Sequence, residues 1–184
     1  MTNKYSTQNQ LLLNKLLKFY NKDNNLSKIL YIINGDSKIS LRLIDWFTTN
    51  YAKKHFIVYS IEEKKIKRRF KVYVDYKLKL KAYSKRRFDP FCRWERINIP
   101  YDDKSLIQTT IGQLNFFKWA LENKILDYIK TNYEKIEADM NQRNSTARYK
   151  VVEKNKTRKK RQELSVSATK SIKKEKIEII VKFN

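Results

Sequence analysis

FKVYVDYKLKLKA, residues 70–82, alternates over its whole length. Phe70, Val72, Val74, Tyr76, Leu78, Leu80 and Ala82 fall on one side of a two-residue period. Lys71, Tyr73, Asp75, Lys77, Lys79 and Lys81 fall on the other. Successive side chains of a strand point to opposite faces, so the pattern predicts one long β-strand with an apolar face and a cationic face. Strands of about 5–6 residues are usual, so a strand of this length is expected to be bent or bulged. A sheet face carrying Lys71, Lys77, Lys79 and Lys81, with Tyr73 among them, fits the way sheets hold single-stranded nucleic acid: cations follow phosphates and rings stack on bases. It equally fits a solubilising outer face, or an edge strand guarded by lysines. Two further basic runs stand at the ends of the same predicted strand: Lys64, Lys65, Lys67, Arg68 and Arg69 before it, and Lys85, Arg86 and Arg87 after it. Together they predict a continuous positive ridge.

The charge of the whole chain is segregated in the same way. Residues 64–96 carry fourteen Lys and Arg against three Asp and Glu, a net +11, and residues 143–182 carry fourteen against four, a net +10. Residues 1–63 come to +4 and residues 97–142 to −2, within a total of +23. An acidic block between two basic ones is not a drift of composition. Concentrated positive charge is the electrostatic footprint of a polyanion-binding protein. Lys outnumbers Arg 31 to 11 and Gly and Pro number two each, a bias that an AT-rich genome produces unaided. That bias accounts for lysine over arginine, and it does not account for the clustering.

Outward from residues 70–82, the other elements follow from their own patterns. Residues 8–20 place Leu12, Leu13, Leu16, Leu17 and Tyr20 on one helical face. Leu30–Ile33 is a short apolar run closed by Asn34-Gly35-Asp36-Ser37, a strong turn signal. A helix is expected over 39–53, with Leu43, Trp46, Phe47 and Tyr51 inward, and strands over 56–61 and 93–99. Residues 105–140 read as helical, capped by Thr109 or Thr110 and broken near Asn123. The expected fold is α+β: a small, mainly antiparallel sheet with helices packed on one face. Residues 1–142 form the expected globular part, 143–175 a basic polar extension, and 176–184 a strand returning to the sheet.

Composition excludes several classes. Aromatic residues at 13% and hydrophobic residues at 41% are too many for a disordered chain. With one cysteine (Cys92) and one histidine (His55), no internal disulfide, zinc finger or thiolate cluster is expected, and no cofactor is implied. No secretion signal follows Met1 and no stretch reaches transmembrane length. Gly35 and Gly112 are isolated, so no glycine loop cradles a phosphate. Cys92 reads as buried and unreactive, and Trp46, Trp94 and Trp119 read as core. One catalytic reading remains, a metal-dependent nuclease. Asp75 and Lys77 share one face of the predicted strand, and Asp45, Glu62 or Glu63 would supply a second carboxylate. The spacing is short enough to arise by chance in any lysine-rich strand, and the expectation is a chain with no enzymatic activity. The run Arg158, Lys159, Lys160 and Arg161 fits a nucleic-acid clamp tethered at both ends, an import signal, or a solvated loop.

Asn34-Gly35-Asp36-Ser37 running into LRLIDWFTTNYAKK (41–54), Phe88-Asp89-Pro90-Phe91-Cys92-Arg93, TTIGQLNFFKWALENKILDYI (109–129) and RKKRQELSVSATKSI (158–172) resemble a group of uncharacterised proteins of the nucleocytoplasmic large DNA viruses. The resemblance runs from about Leu30 to the C-terminus and carries no catalytic residues. It implies expression in the host cytoplasm, where the virus factory lies, and packaging in virions. The expected function is sequence-independent binding of DNA or RNA backbone through the residues of the two basic segments named above, with other virion proteins as further partners. The competing expectation is a minor capsid or core component that uses its basic surface for assembly. The sequence assigns no oligomeric state.

Overall fold

Helix α6 (Ile111–Glu122) is buried on every side from Ile111 to Phe117, and the rest of the fold is assembled around it. The computed structural model describes residues 7–63, 66–102, 105–152 and 173–176. The chain is α+β. Before α6 come α1 (Gln8–Tyr20), α2 (Asn25–Ile33), α3 (Leu41–Trp46), a π-helical turn (Phe47–Tyr51), α4 (Ala52–Lys54), β1 (Val58–Glu63), β2 (Ile66–Lys71), α5 (Val72–Arg87), β3 (Arg96–Asp102) and β4 (Ser105–Thr110). After it come α7 (Ile125–Thr131), α8 (Tyr133–Val152) and β5 (Lys173–Lys176). The strands divide between two small antiparallel sheets, a β1–β2 hairpin and a sheet of order β3–β4–β5.

The 70–82 stretch is not a strand. Strand β2 ends at Lys71 and the chain turns directly into α5. The hairpin register accounts for the change. Lys71 pairs with Val58, the first residue of β1, and one further bond runs from the Val72 N–H to the Ile57 carbonyl at 3.2 Å. Beyond that point no partner strand remains, so the backbone groups are satisfied within a helix instead. The alternating set also contains a helical stripe. Val72, Tyr76 and Leu80 stand at i, i+4 and i+8 and pack inward, while Val74 and Leu78, 51% and 60% exposed, face outward.

Trp119 of α6 holds α5 in place. The Trp119 indole donates to the Asp75 carboxylate at 2.6 Å, and Tyr76 lies 6.0 Å from the Trp119 ring and 5.9 Å from Phe88. On another side of α6, the Tyr20 hydroxyl of α1 donates to the Leu114 carbonyl at 2.6 Å. Thr110 caps α6, its hydroxyl accepting from the Gln113 N–H at 3.2 Å. The helix ends at Asn123, as its sequence predicts. Ser105–Thr110, expected as the start of that helix, is strand β4, in register with β3. The helix expected over 39–53 contains a π-turn. There the hydroxyls of Thr48 and Thr49 donate to the Asp45 carbonyl at 3.1 and 2.7 Å, competing with the backbone for that acceptor. Leu30–Ile33 belongs to a helix, α2, closed by Gly35 at φ +85°.

The segment after α5 rests on polar side chains of α6 and its cap. Asn115 donates to the Arg87 carbonyl at 2.8 Å, Gln113 to the Pro90 carbonyl at 3.0 Å, and the Thr110 hydroxyl to the Cys92 carbonyl at 3.4 Å. These bonds explain why α6 buries Gln113 and Asn115 without cost. Gly112 is required by the same closeness: a Cβ there would stand 2.9 Å from both the Arg86 carbonyl oxygen and the Cys92 Cβ. Gly112→Ala is therefore expected to destabilise the protein, even though alanine recovers about 1 kcal/mol of helix propensity. A net loss of about 1–2 kcal/mol corresponds to a Tm roughly 2–8 °C lower, read by circular dichroism. An unchanged Tm would mean that residues 86–92 shift freely.

Candidate nucleic-acid interface

The cations of residues 66–87 form two stripes, not one strand face. On the hairpin, Phe70 is buried and Arg68 points the same way, its guanidinium 5.6 Å from the Phe70 ring and donating to the Asn123 side chain at 3.3 Å. Lys67, Arg69 and Lys71 therefore face outward, and all three are exposed. On α5, Tyr73, Lys77 and Lys81 stand at i, i+4 and i+8, on one helical stripe, and both lysines are exposed. Among the described residues, none of Lys67, Arg69, Lys71, Lys77 and Lys81 takes part in an ion pair. The two stripes are consecutive in the chain, since Lys71 ends β2 and Val72 begins α5.

Other members of the predicted set are turned elsewhere. Lys79 lies about 200° round the helix from Lys77. It lines a cavity of about 400 Å³ between the hairpin, α5 and α6, where Glu62, Asp75 and Glu122 balance Arg68, Lys79 and Lys118. Lys85 is electrostatically coupled to two carboxylates. Burial, and then the charge of Asp89, push the Asp45 carboxyl up to about 6, while Lys85 pulls it down. Burial likewise raises Asp89, against the Phe91 N–H bond and Lys85. Arg86 and Arg87 follow a kink at Ser84. Arg87 donates to Asn9 at 2.7 Å and Gln8 at 3.1 Å, both uncharged. Tyr73 packs against the core with the Lys53 ammonium 5.7 Å from its ring. Lys64, Lys65, Arg158, Lys159, Lys160 and Arg161 lie outside the described residues.

The helix also removes the geometry that favoured nuclease chemistry. Asp75 and Lys77, on one face of a strand, are about 200° apart on α5, and the Asp75 carboxylate is occupied by the Trp119 indole. Among the described residues, no three His, Cys, Asp or Glu side chains gather to hold a metal ion.

Cys92 is buried, as expected, and so is Trp119. Trp94 is not core: it is 66% exposed, with the Arg86 guanidinium 5.5 Å from its ring centroid. Its neighbours Arg93, Glu95 and Arg96 are the sequence signal that could have placed it outside. In the second sheet, β5 adds Lys173–Lys176 to the edge of β4, Ser105 pairing with Lys176 and Gln108 with Lys173. Of the strand expected over 176–184, only Lys176 is among the described residues. No helix among the described residues is long and apolar enough to cross a membrane.

Comparison with known proteins finds one family whose model spans residues 1–184, a family of unknown function (DUF7197). An uncharacterised protein of Acanthamoeba polyphaga mimivirus is 43% identical over 143 residues, covering 74% of this chain and 55% of the relative. The chain thus spans about half the length of that relative. No solved structure matches. The chain belongs to the DUF7197 family, which agrees with the resemblance to uncharacterised giant-virus proteins.

Proposed function

We propose that this member of the family is a non-enzymatic, largely sequence-independent nucleic-acid-binding protein of a large DNA virus. It grips DNA or RNA through backbone phosphates. The observation that carries this reading is the exposed, unpaired set Lys67, Arg69, Lys71, Lys77 and Lys81 on two consecutive elements. Exposed cations outside any ion pair are available to a polyanion, and each one that meets a phosphate displaces a condensed counterion. A net charge of +23 adds long-range attraction. The viral relative supports action during infection of a host cell, and this reading places that action in the host cytoplasm, with carriage into the virion as its extension.

The test is binding of a fluorescent 30-base-pair duplex of random sequence across a salt series. If about 6–10 phosphates are neutralised, affinity falls by about 10³–10⁵ between 50 and 200 mM salt, with little change between sequences. Affinity independent of salt would overturn the reading. Size-exclusion chromatography after nuclease treatment separates it from a purely architectural role, for which ordered self-assembly would persist without nucleic acid.

A further inference from the structure

The kink at the end of α5 builds a second feature, distinct from the two cationic stripes. Ser84 has φ +60° and ψ 168°, and Glu95 has φ +50°. The first is a region that essentially only glycine adopts, and such strain persists only where the surrounding structure holds it. Both residues line the same small cavity, about 270 Å³, together with Asn9, Arg86, Arg87 and Trp94. The Ser84 break ends the helical path of α5, and Arg86 is left against the Trp94 ring. The backbone behind it is fixed by the α6 contacts at Gly112, Asn115 and Gln113.

The chemistry of this cavity suits a planar, polar ligand attached to an anion. Trp94 is two-thirds exposed with a guanidinium against its ring, so an aromatic surface remains open beside a cation. Glu95 accepts from the Asn9 side-chain amide at 3.1 Å and stands 3.8 Å from the Arg86 guanidinium, with both charged groups well exposed. An exposed pair of that kind contributes little, so a ligand displaces it readily. Among the described residues, Arg87 bonds to the uncharged Asn9 and Gln8 and to no acidic group. Carboxylate, amide and guanidinium groups at the edge of an aromatic platform match the donors and acceptors of a base edge and the charge of its phosphate.

We propose that the Trp94–Arg86 platform stacks an unpaired nucleobase, so that the protein prefers single-stranded nucleic acid over duplex. This rests on the nucleic-acid reading above and adds to it a strand preference. A duplex keeps its bases stacked inside and offers the platform only phosphate.

The test uses the full chain with a dT30 oligonucleotide and a duplex of equal length at one salt concentration. Trp46 is bonded to Asp139 through its indole and Trp119 is buried, so Trp94 is the solvent-facing emitter. Saturable quenching of tryptophan emission by dT30 is expected. Trp94→Ala should lower the ratio of single-strand to duplex affinity by about 5- to 150-fold, the range for loss of one stacked base. Trp94→Phe, which keeps a ring, should recover most of it. Circular dichroism reports that both variants are folded. If Trp94→Ala leaves the ratio unchanged while duplex binding keeps its salt dependence, the stacking site is wrong and the phosphate grip stands. If the unmutated chain binds neither probe, both are wrong.

Discussion

A chain carrying Lys67→Gln, Arg69→Glu and Lys71→Glu together with Lys77→Glu and Lys81→Glu is expected to lose duplex binding by on the order of 10³–10⁵ at 100 mM salt. Lys67 is changed to glutamine because it pairs across the hairpin with Glu62, and two carboxylates directly opposite would destabilise the sheet. Arg69 and Lys71 pair with Ser60 and Val58, so reversal there adds no such repulsion. Each phosphate contact adds about 0.9 to the slope of log affinity against log salt. The hairpin triple alone should therefore flatten the slope by about 3, the helix pair by about 2, and the two sets together by about 5. Additive slopes mean that both stripes meet one polymer. If one set changes the slope and the other does not, only a single stripe is in contact. All five side chains are exposed, so the Tm should move by only a few degrees, and affinity is the readout. An unchanged affinity in the fivefold variant would remove the basis of the proposed function.

The second large effect concerns stability. Asp45 is held at about 6 in the folded protein, above the value of about 3.9 for an unfolded chain, by its burial and by the Asp89 charge. The folded state therefore binds the proton more tightly. This group favours folding most below about pH 4 and loses that contribution as the pH rises to about 6; above that the cost is constant. Asp89, also raised, acts in the same direction. Asp139 has the opposite sign. Its burial pushes it up, but bonds from Lys54 and Trp46 and the charges of Lys54 and His55 hold it below the ordinary carboxylate value. Its stabilising effect is lost only on acidification below the ordinary carboxylate range. Asp45→Asn should thus raise stability at pH 7.5 by about 2 kcal/mol, or roughly 4–8 °C in Tm, and flatten the Tm profile between pH 4 and 6. A lower Tm at pH 7.5 would show that the carboxylate is paired and stabilising. Both carboxylates lie near Tyr76, whose hydroxyl burial and those charges push up to about 12, so the tyrosine stays neutral throughout.

Local signals in this chain were largely legible. A threonine cap at 109 or 110, which the structure resolves to Thr110, Asn123 as the end of α6 and Asn34-Gly35 as a turn depend on chemistry within a few residues. The amphipathic stripe of residues 8–20 is α1 to the residue. Strand β4 is hard to read from sequence although Ile107, Thr109 and Thr110 are β-branched, because the apolar helix that follows it dominates any longer window.

The amino-acid sequence alone determined the charge: which segments are basic, that an acidic block separates them, and that a polyanion is the partner they suit. It also determined the α+β class and the viral family likeness. Only the tertiary structure decided which cations stand together. Residues 70–82 satisfy a period of two and an i, i+4, i+8 stripe at once, and composition cannot choose between them. The choice fell to β1, which is six residues long and leaves nothing for residue 73 onward to pair with. Helix then replaced strand, Lys79 turned away from Lys77 and Lys81, and Asp75 turned from a face shared with lysine to the indole of Trp119. The exposure of Trp94 was decided the same way, by the backbone of Arg86–Cys92 docking on Gly112 and its neighbours, contacts 18 or more residues apart that no local pattern encodes.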